Sequence, residues 1–202
     1  MVITTIKQQV KRADRYSVYL DGKYAFSLRE AELLKLGLHS GMEISAEQLS
    51  EYQGESSFGK WYDKTLNLLS FRLRSEWELR DYLRRKDCPP EVTDKILNKL
   101  SINGYLNDEQ FARRWVENRR LMKATSRRKL SMELKQKRIP GDIIDAVLAE
   151  DKDSTNERAV LRELVTKKRA RYPDTIKLMQ YLARQGYNYD DIKSALSGED
   201  QS

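Results

Sequence analysis

An internal repeat constrains this chain more than any other feature. Leu79-Arg-Asp-Tyr-Leu83 can be set over Leu130-Ser-Met-Glu-Leu134 and Leu178-Met-Gln-Tyr-Leu182 at offsets of 51 and 48 residues, and no gaps are needed around them. Cys88 then falls on Ile139 and Tyr187, and Ile96-Leu97 on Val147-Leu148 and Ala195-Leu196. Four residues before the shared leucine stand Ser75, Ser126 and Asp174, all side chains that cap helices. Three residues earlier come Arg72, Lys123 and Arg171. Caps, apolar columns and basic columns agree together, which marks a unit of about 50 residues present three times. A unit of that size buries too little apolar surface to be very stable alone, so neighbours are expected to stack into an elongated, curved array.

Each unit reads as three helices. They are expected near 60–71, 76–86 and 90–102, then 108–122, 127–137 and 141–149, then 155–169, 174–185 and 189–197. Pro89-Pro90 opens the third of these, where a missing N–H costs nothing. The corresponding domains are 60–106, 107–150 and 153–197. An extension over residues 1–53 precedes them and has a period near two. Val18, Leu20, Tyr24 and Phe26 flank Asp21-Gly22, a tight hairpin signal, and a strand near Ile3–Val10 completes a small sheet. Ser27 followed by Glu30, and Ser45 followed by Gln48, read as capping boxes of short helices, the first of which stops at Gly37. Residues 53–59 read as a linker. The expected fold is mainly all-α with a small β-hairpin and helix extension.

Composition removes several function classes. Hydrophobic residues are 39% and charged residues 34%, against about 45–50% and 25% in ordinary domains, so wide solvated helix faces are expected. One Cys and one His exclude a disulfide framework, a Cys/His zinc site and thiol–histidine catalysis. No apolar run is long enough to span a bilayer and residues 1–20 lack an apolar signal core, so a soluble, cytoplasmic protein is expected. Gly54-Glu-Ser-Ser-Phe-Gly59-Lys60 imitates a phosphate-binding loop, but Trp61 stands where Ser or Thr must hold Mg²⁺ and no buried strand precedes it. Glu76/Glu78 and Asp190/Asp191 read as solvated or capping charges, His39 as a loop residue and Cys88 as core. No catalytic residue, metal or cofactor is expected.

Charge is the positive signal. The formal net charge is +7, and it concentrates between Arg113 and Arg138, where eleven Lys/Arg face only Glu117 and Glu133. A plain surface mixes signs more evenly, so this block is expected to bind nucleic-acid phosphate or an acidic protein groove. Arg158, Arg162, Lys167, Lys168, Arg169 and Arg171 form a second block. Trp115 is interleaved with the first, between Arg114 and Glu117, and Trp61, Trp77, Tyr105 and Phe111 lie nearby; the helical spacing of Phe111, Trp115 and Met122 reads as core packing, with base stacking open to whichever ring is exposed.

Gly104-Tyr105-Leu106-Asn107-Asp108-Glu-Gln-Phe111-Ala112 resembles the Gly-Tyr-Leu-Asp-Asp-x-x-Phe-Ala signature of RecX, the bacterial regulator of RecA. Arg72-Leu73-Arg74-Ser75-x-x-Glu78-Leu79 and Arg119-Arg120…Leu130-x-x-Glu133-Leu134-x-x-Lys137-x-Ile139 are similar to further segments of that family. The resemblance covers about residues 60–197. Asn107 replaces the first Asp, Ser126-Arg127 stands where Gly-Pro is common, and Arg138 where Gly is common, so no contact by Arg127 or Arg138 is carried over.

The resemblance implies a non-enzymatic modulator that binds the RecA filament on single-stranded DNA and restrains its ATPase, strand-exchange and co-protease activities, as a monomer with a weak direct DNA contact at most. The residues expected on the binding face are Arg72, Arg113, Arg119, Arg120, Lys123, Arg127, Arg128, Lys129, Lys167, Lys168, Arg169 and Arg171. Charge reversal at Arg127 and Arg128 is expected to abolish filament inhibition. Gly104, Tyr105, Leu106, Asp108 and Phe111 are expected to fix the joint between the first two units. The alternative is a DNA-binding regulator that acts through its basic helices without RecA, although a Lys/Arg-dominated helix favours phosphate over base readout.

Overall fold

The computed structural model describes residues 1–122, 125–151 and 157–197. Asp21 and Gly22 take φ values of 47° and 80°, the two positive angles that let a two-residue turn match strand twist. The turn joins β2 (Arg12–Leu20) to β3 (Lys23–Arg29), and β1 (Ile3–Gln9) pairs with the other side of β2 in an antiparallel β1-β2-β3 sheet. Ile6 and Phe26 both lie opposite Val18, so one face gathers Ile3, Val18, Leu20, Phe26 and Leu28 over Leu38, Ile44 and Tyr52. The outer edge of β1 is covered, because Ile3 donates to the Met42 carbonyl and Gly41 donates to that of Ile3.

Two expectations for this extension are corrected. Ser27 caps no helix; it lies buried in β3, where its carbonyl accepts a 2.9 Å hydrogen bond from Arg15. Helix α1 (Glu30–Lys35) begins later, and it is Glu32, not Glu30, that accepts the Arg29 N–H. Nor is 53–59 a linker. Ser45 and Gln48 form the expected capping box, but the helix they open, α2, runs unbroken over Ala46–Phe71. A glycine inside a helix costs about 1 kcal/mol. The helix bears that cost because Tyr52, Ser56, Gly59 and Asp63 form a buried stripe along α2, and Ser56 accepts the Ser27 N–H at 3.1 Å; Gly54 lies exposed off that stripe.

At the end of that stripe three guanidinium groups share one carboxylate. Arg15, with its side chain 2% exposed, donates to Asp63 at 3.1 Å; Arg12 donates to the same oxygen at 3.0 Å, and Arg29 pairs with the other oxygen. Burial pushes the Arg15 pKa below its usual value, yet a guanidinium stays charged throughout the accessible pH range, so it needs a counter-charge.

The helical repeats follow as α3 (Glu76–Arg84), α4 (Pro90–Ile102), α5 (Asp108–Met122), α6 (Arg127–Gln136), α7 (Gly141–Glu150), α8 (Glu157–Arg169), α9 (Thr175–Arg184) and α10 (Tyr189–Ser197). The first helix of the first repeat is the C-terminal part of α2. The aligned columns are buried in every copy: Leu79, Leu130 and Leu178; Leu83, Leu134 and Leu182; Cys88, Ile139 and Tyr187. Ser75, Ser126 and Asp174 each accept backbone N–H groups at the start of α3, α6 and α9. All three helices end alike. Asp87, Arg138 and Gly186 have left-handed φ, and the next N–H (Cys88, Ile139, Tyr187) reaches back to the carbonyl of Leu83, Leu134 or Leu182. This closure satisfies carbonyls that a helix end leaves free and explains why Gly suits position 138.

The described chain forms two compact units, one of residues 1–72 and 80–102, the other of residues 73–79 and 103 onward. Within the second, helix starts dock on helix ends. Ser75 Oγ donates to the Lys137 carbonyl at 3.1 Å, and the Ser126 N–H donates to the Gln185 carbonyl at 3.1 Å. The first helical N–H of α3 goes to Asp108 (2.8 Å from Glu76 N) and that of α6 to Glu157 (2.6 Å from Arg127 N). Burial pushes the Asp108 carboxyl up, partly offset by that hydrogen bond. Leu106 and Phe111 are buried beside it, Gly104 has φ +73°, and Tyr105 is exposed. Cores of Phe111, Val116, Leu130, Leu134 and Ile144, and of Leu161, Val165, Leu178, Leu182 and Ile192, fill the second and third repeats.

Asp63→Ala removes the carboxylate that Arg15 is bonded to, leaving it only the charge of neighbours such as Glu32, and should cost about 3–5 kcal/mol, read as a lowered urea midpoint. Gly186→Ala drives a methyl into Ser126 Oγ and to 2.6 Å from Lys129 Cβ, whereas at Gly104 the same methyl meets nothing within 4 Å. Both carry a left-handed penalty of about 1–2 kcal/mol, and Gly186→Ala should lose a further 1–3 kcal/mol or so by overpacking. Parallel urea melts of the two variants check the difference.

Candidate partner-binding surface

The block from Arg113 to Arg138 is far less free than its composition suggests. On α5, Arg113 pairs with Glu109 and Glu150, Arg114 with Glu117, and Arg119 with Glu133 at 2.7 Å. Arg119 also lies over the Trp115 ring, 4.8 Å from its centroid, while the indole N–H donates to Glu133. Arg120 is a structural residue. Its side chain is 8% exposed, donates to Asp151 at 2.6 Å and reaches the Thr125 carbonyl, which ties the end of α5 to the end of α7.

On α6 the same sorting recurs. Arg127 donates through its guanidinium to the Leu148 carbonyl at 2.9 Å, Lys129 to the Arg184 carbonyl at 2.5 Å, and Lys137 pairs with Glu78. What remains is one outward stripe. Arg128, Met132 and Lys135, at i, i+4 and i+7, are exposed, and exposed Arg138 follows the helix end. None of these three cations has a carboxylate partner among the described residues. Lys135, Met132 and Arg138 were not singled out for the binding face by charge density; the seven-residue step from Arg128 to Lys135 is the signal that finds them.

The other expected positions are scattered. Arg72 is exposed at the end of α2, in the first compact unit, and Lys123 lies outside the described residues. In the third repeat Lys167 pairs with Glu163, Arg169 donates to Thr175, and Arg171 is exposed beside the Tyr172 ring. Lys168 is half-buried. Lys167, Lys168 and Arg171 line a cleft of about 620 Å³ with Tyr172, Tyr181 and Met122. Met122 is 81% exposed, so its helical spacing from Phe111 does not make it core; α5 runs past the end of its own apolar stripe. Trp77 is likewise exposed. Tyr172 and Tyr181 stack with centroids 5.1 Å apart, and burial, then the neighbouring ring, raises the Tyr181 pKa. Among the described residues no cluster of three or more His, Cys, Asp and Glu could hold a metal ion, and no helix is long and apolar enough to cross a membrane.

Arg120→Ala should therefore act on stability. It removes the guanidinium that faces Asp151 at a site that is nearly closed and should cost about 3 kcal/mol, whereas Arg128→Ala should change stability by less than about 0.5 kcal/mol. Thermal unfolding of the two variants distinguishes a strut from a surface contact.

Family profiles match three stretches. Residues 1–45 match the regulatory protein RecX N-terminal domain, 62–100 the first three-helix domain of RecX, and 107–148 its second three-helix domain. The regulatory protein RecX of Bacillus subtilis is 32% identical over 200 residues, covering 96% of this chain and 75% of that protein. That of Caldanaerobacter subterraneus is 30% identical over 197 residues, covering 98% and 99%. A crystal structure of regulatory protein RecX superposes with a TM-score of 0.76 at 27% identity over 97% of this chain and 98% of that one. RecX from Lactobacillus salivarius gives 0.61 at 26% identity over 72% and 98%. With the profiles meeting the same helices whose caps and buried leucines repeat through the fold, the chain belongs to the RecX family.

Proposed function

We propose that this protein is a non-enzymatic modulator of RecA that binds the RecA filament on single-stranded DNA and restrains its ATP hydrolysis, strand exchange and co-protease activity. It acts in the cytoplasm as a monomer. The observation that carries the reading is the outward stripe of α6, where Arg128, Lys135 and Arg138 are exposed without a carboxylate partner among the described residues, on a chain of the RecX family. Cations already held by internal carboxylates have little left to offer a partner. Unpaired ones beside an exposed Met132 supply both charge and apolar contact. Arg127 belongs to the fold rather than to the contact, because its guanidinium holds the Leu148 carbonyl.

The test is RecA ATPase on single-stranded DNA with this protein titrated in from well below one per RecA. Wild-type protein should inhibit, and the triple reversal Arg128→Glu, Lys135→Glu and Arg138→Glu should raise the half-inhibiting concentration roughly tenfold or more, about 1.4 kcal/mol, with helicity unchanged by circular dichroism. Inhibition at low ratios favours action at filament ends, and inhibition only near saturation favours occupancy of the groove. No inhibition by the wild type, together with salt-sensitive DNA binding, would replace this reading with a DNA-binding regulator.

A further inference from the structure

We propose that the cleft of the third repeat is a binding site for single-stranded DNA that takes a phosphate on Lys168 and Arg171 and a base against the Tyr172–Tyr181 pair. The site does not depend on RecA. Three kinds of surface meet in it. Lys167, Lys168 and Arg171 supply positive charge; Lys167 is shared with Glu163 at 3.5 Å, but Lys168 has no carboxylate partner among the described residues and Arg171 lies 6.0 Å from the Tyr172 centroid. The two tyrosines, stacked within 23° of parallel, supply an aromatic wall. Leu121 and Met122, both largely exposed at the end of α5, supply an apolar one. The fourth cation at the rim, Arg120, is spent on Asp151.

This combination selects its ligand. A phosphate needs the cations, and a base released from its stack needs a flat or apolar surface; base–aromatic contacts contribute whatever the base is. An acidic peptide would use the cations and gain nothing from the stacked rings. Duplex DNA buries its base faces and could use only the charge. At about 620 Å³ the cleft lies within the 300–1,000 Å³ or so of small-ligand pockets, which suits one nucleotide of a strand passing through.

The experiment uses the full chain without RecA, with fluorescein-labelled dT15 followed by anisotropy across a salt series. The double variant Lys168→Glu, Arg171→Glu should weaken binding at least tenfold and flatten the dependence of log K on log salt by about 0.7, the value for one phosphate contact to a single strand. The double reversal Arg84→Glu, Arg85→Glu, at the end of α3 in the other compact unit, matches that change in net charge. Photocrosslinking to the same oligonucleotide carrying 5-iododeoxyuridine, mapped by mass spectrometry, should label Tyr172 or Tyr181. A loss in the Lys168/Arg171 variant no greater than in this control overturns the proposal. So do crosslinks that map elsewhere, and so does an oligo-glutamate peptide that binds the cleft more tightly than dT15. The RecA ATPase result is independent of all three, so failure here leaves the filament reading to its own test.

Discussion

A helix start cannot satisfy its own first N–H groups, and the second compact unit is built on what this chain does about that. At α3 and α6 the exposed amides are met from two directions. A serine from the same helix takes one, and an acidic residue from the next repeat, Asp108 or Glu157, takes another. The same serine residues reach outward again to a carbonyl at the end of α6 or α9. Positive helix starts thus meet acids and negative helix ends, the arrangement that helix dipoles favour. Changing Ser75 would loosen a cap and a joint together, whereas at Ser126 the joint is made by the backbone N–H and the side chain serves the cap.

The extension solves a different problem with charge. A three-stranded sheet this small buries little, and α2 packs along β3 as its lid. Holding that lid with Asp63 among Arg12, Arg15 and Arg29 fixes the helix in one place along the sheet, because a shift of one turn would leave a buried guanidinium unpaired. Apolar packing at the Tyr52 end tolerates sliding far better than this pairing does.

The repeat was legible because each copy had to bury the same leucines and end its second helix in the same way, and those demands fall on residue types that are easy to see. The hairpin was legible at Asp21-Gly22 for a similar reason. Two things were not. The continuity of α2 was hidden by Gly54 and Gly59: the second is buried against Arg15 and Glu32, and the first is exposed and carried by the helix on either side of it. The expected binding face is blurred because charge is counted along the chain, where the acids that hold Arg113, Arg120 and Lys137 from elsewhere in the fold do not show. Their partners Glu150, Asp151 and Glu78 lie 31 to 59 residues away. Long-range pairing leaves no mark on a local window.

The two docking joints also differ in a way that keys them. At the first, an acid on the helix start, Glu78, meets a lysine on the helix end, Lys137; at the second, a lysine on the start, Lys129, meets a bare carbonyl, and Gly186 leaves no room for a side chain. If the start of α6 met the end of another copy's α6, Lys129 would face Lys137, and the Arg138 Cβ would fall where only a hydrogen fits. The end of α6 therefore suits the start of α3 and not that of α6, so the joints themselves carry the order in which the repeats stack.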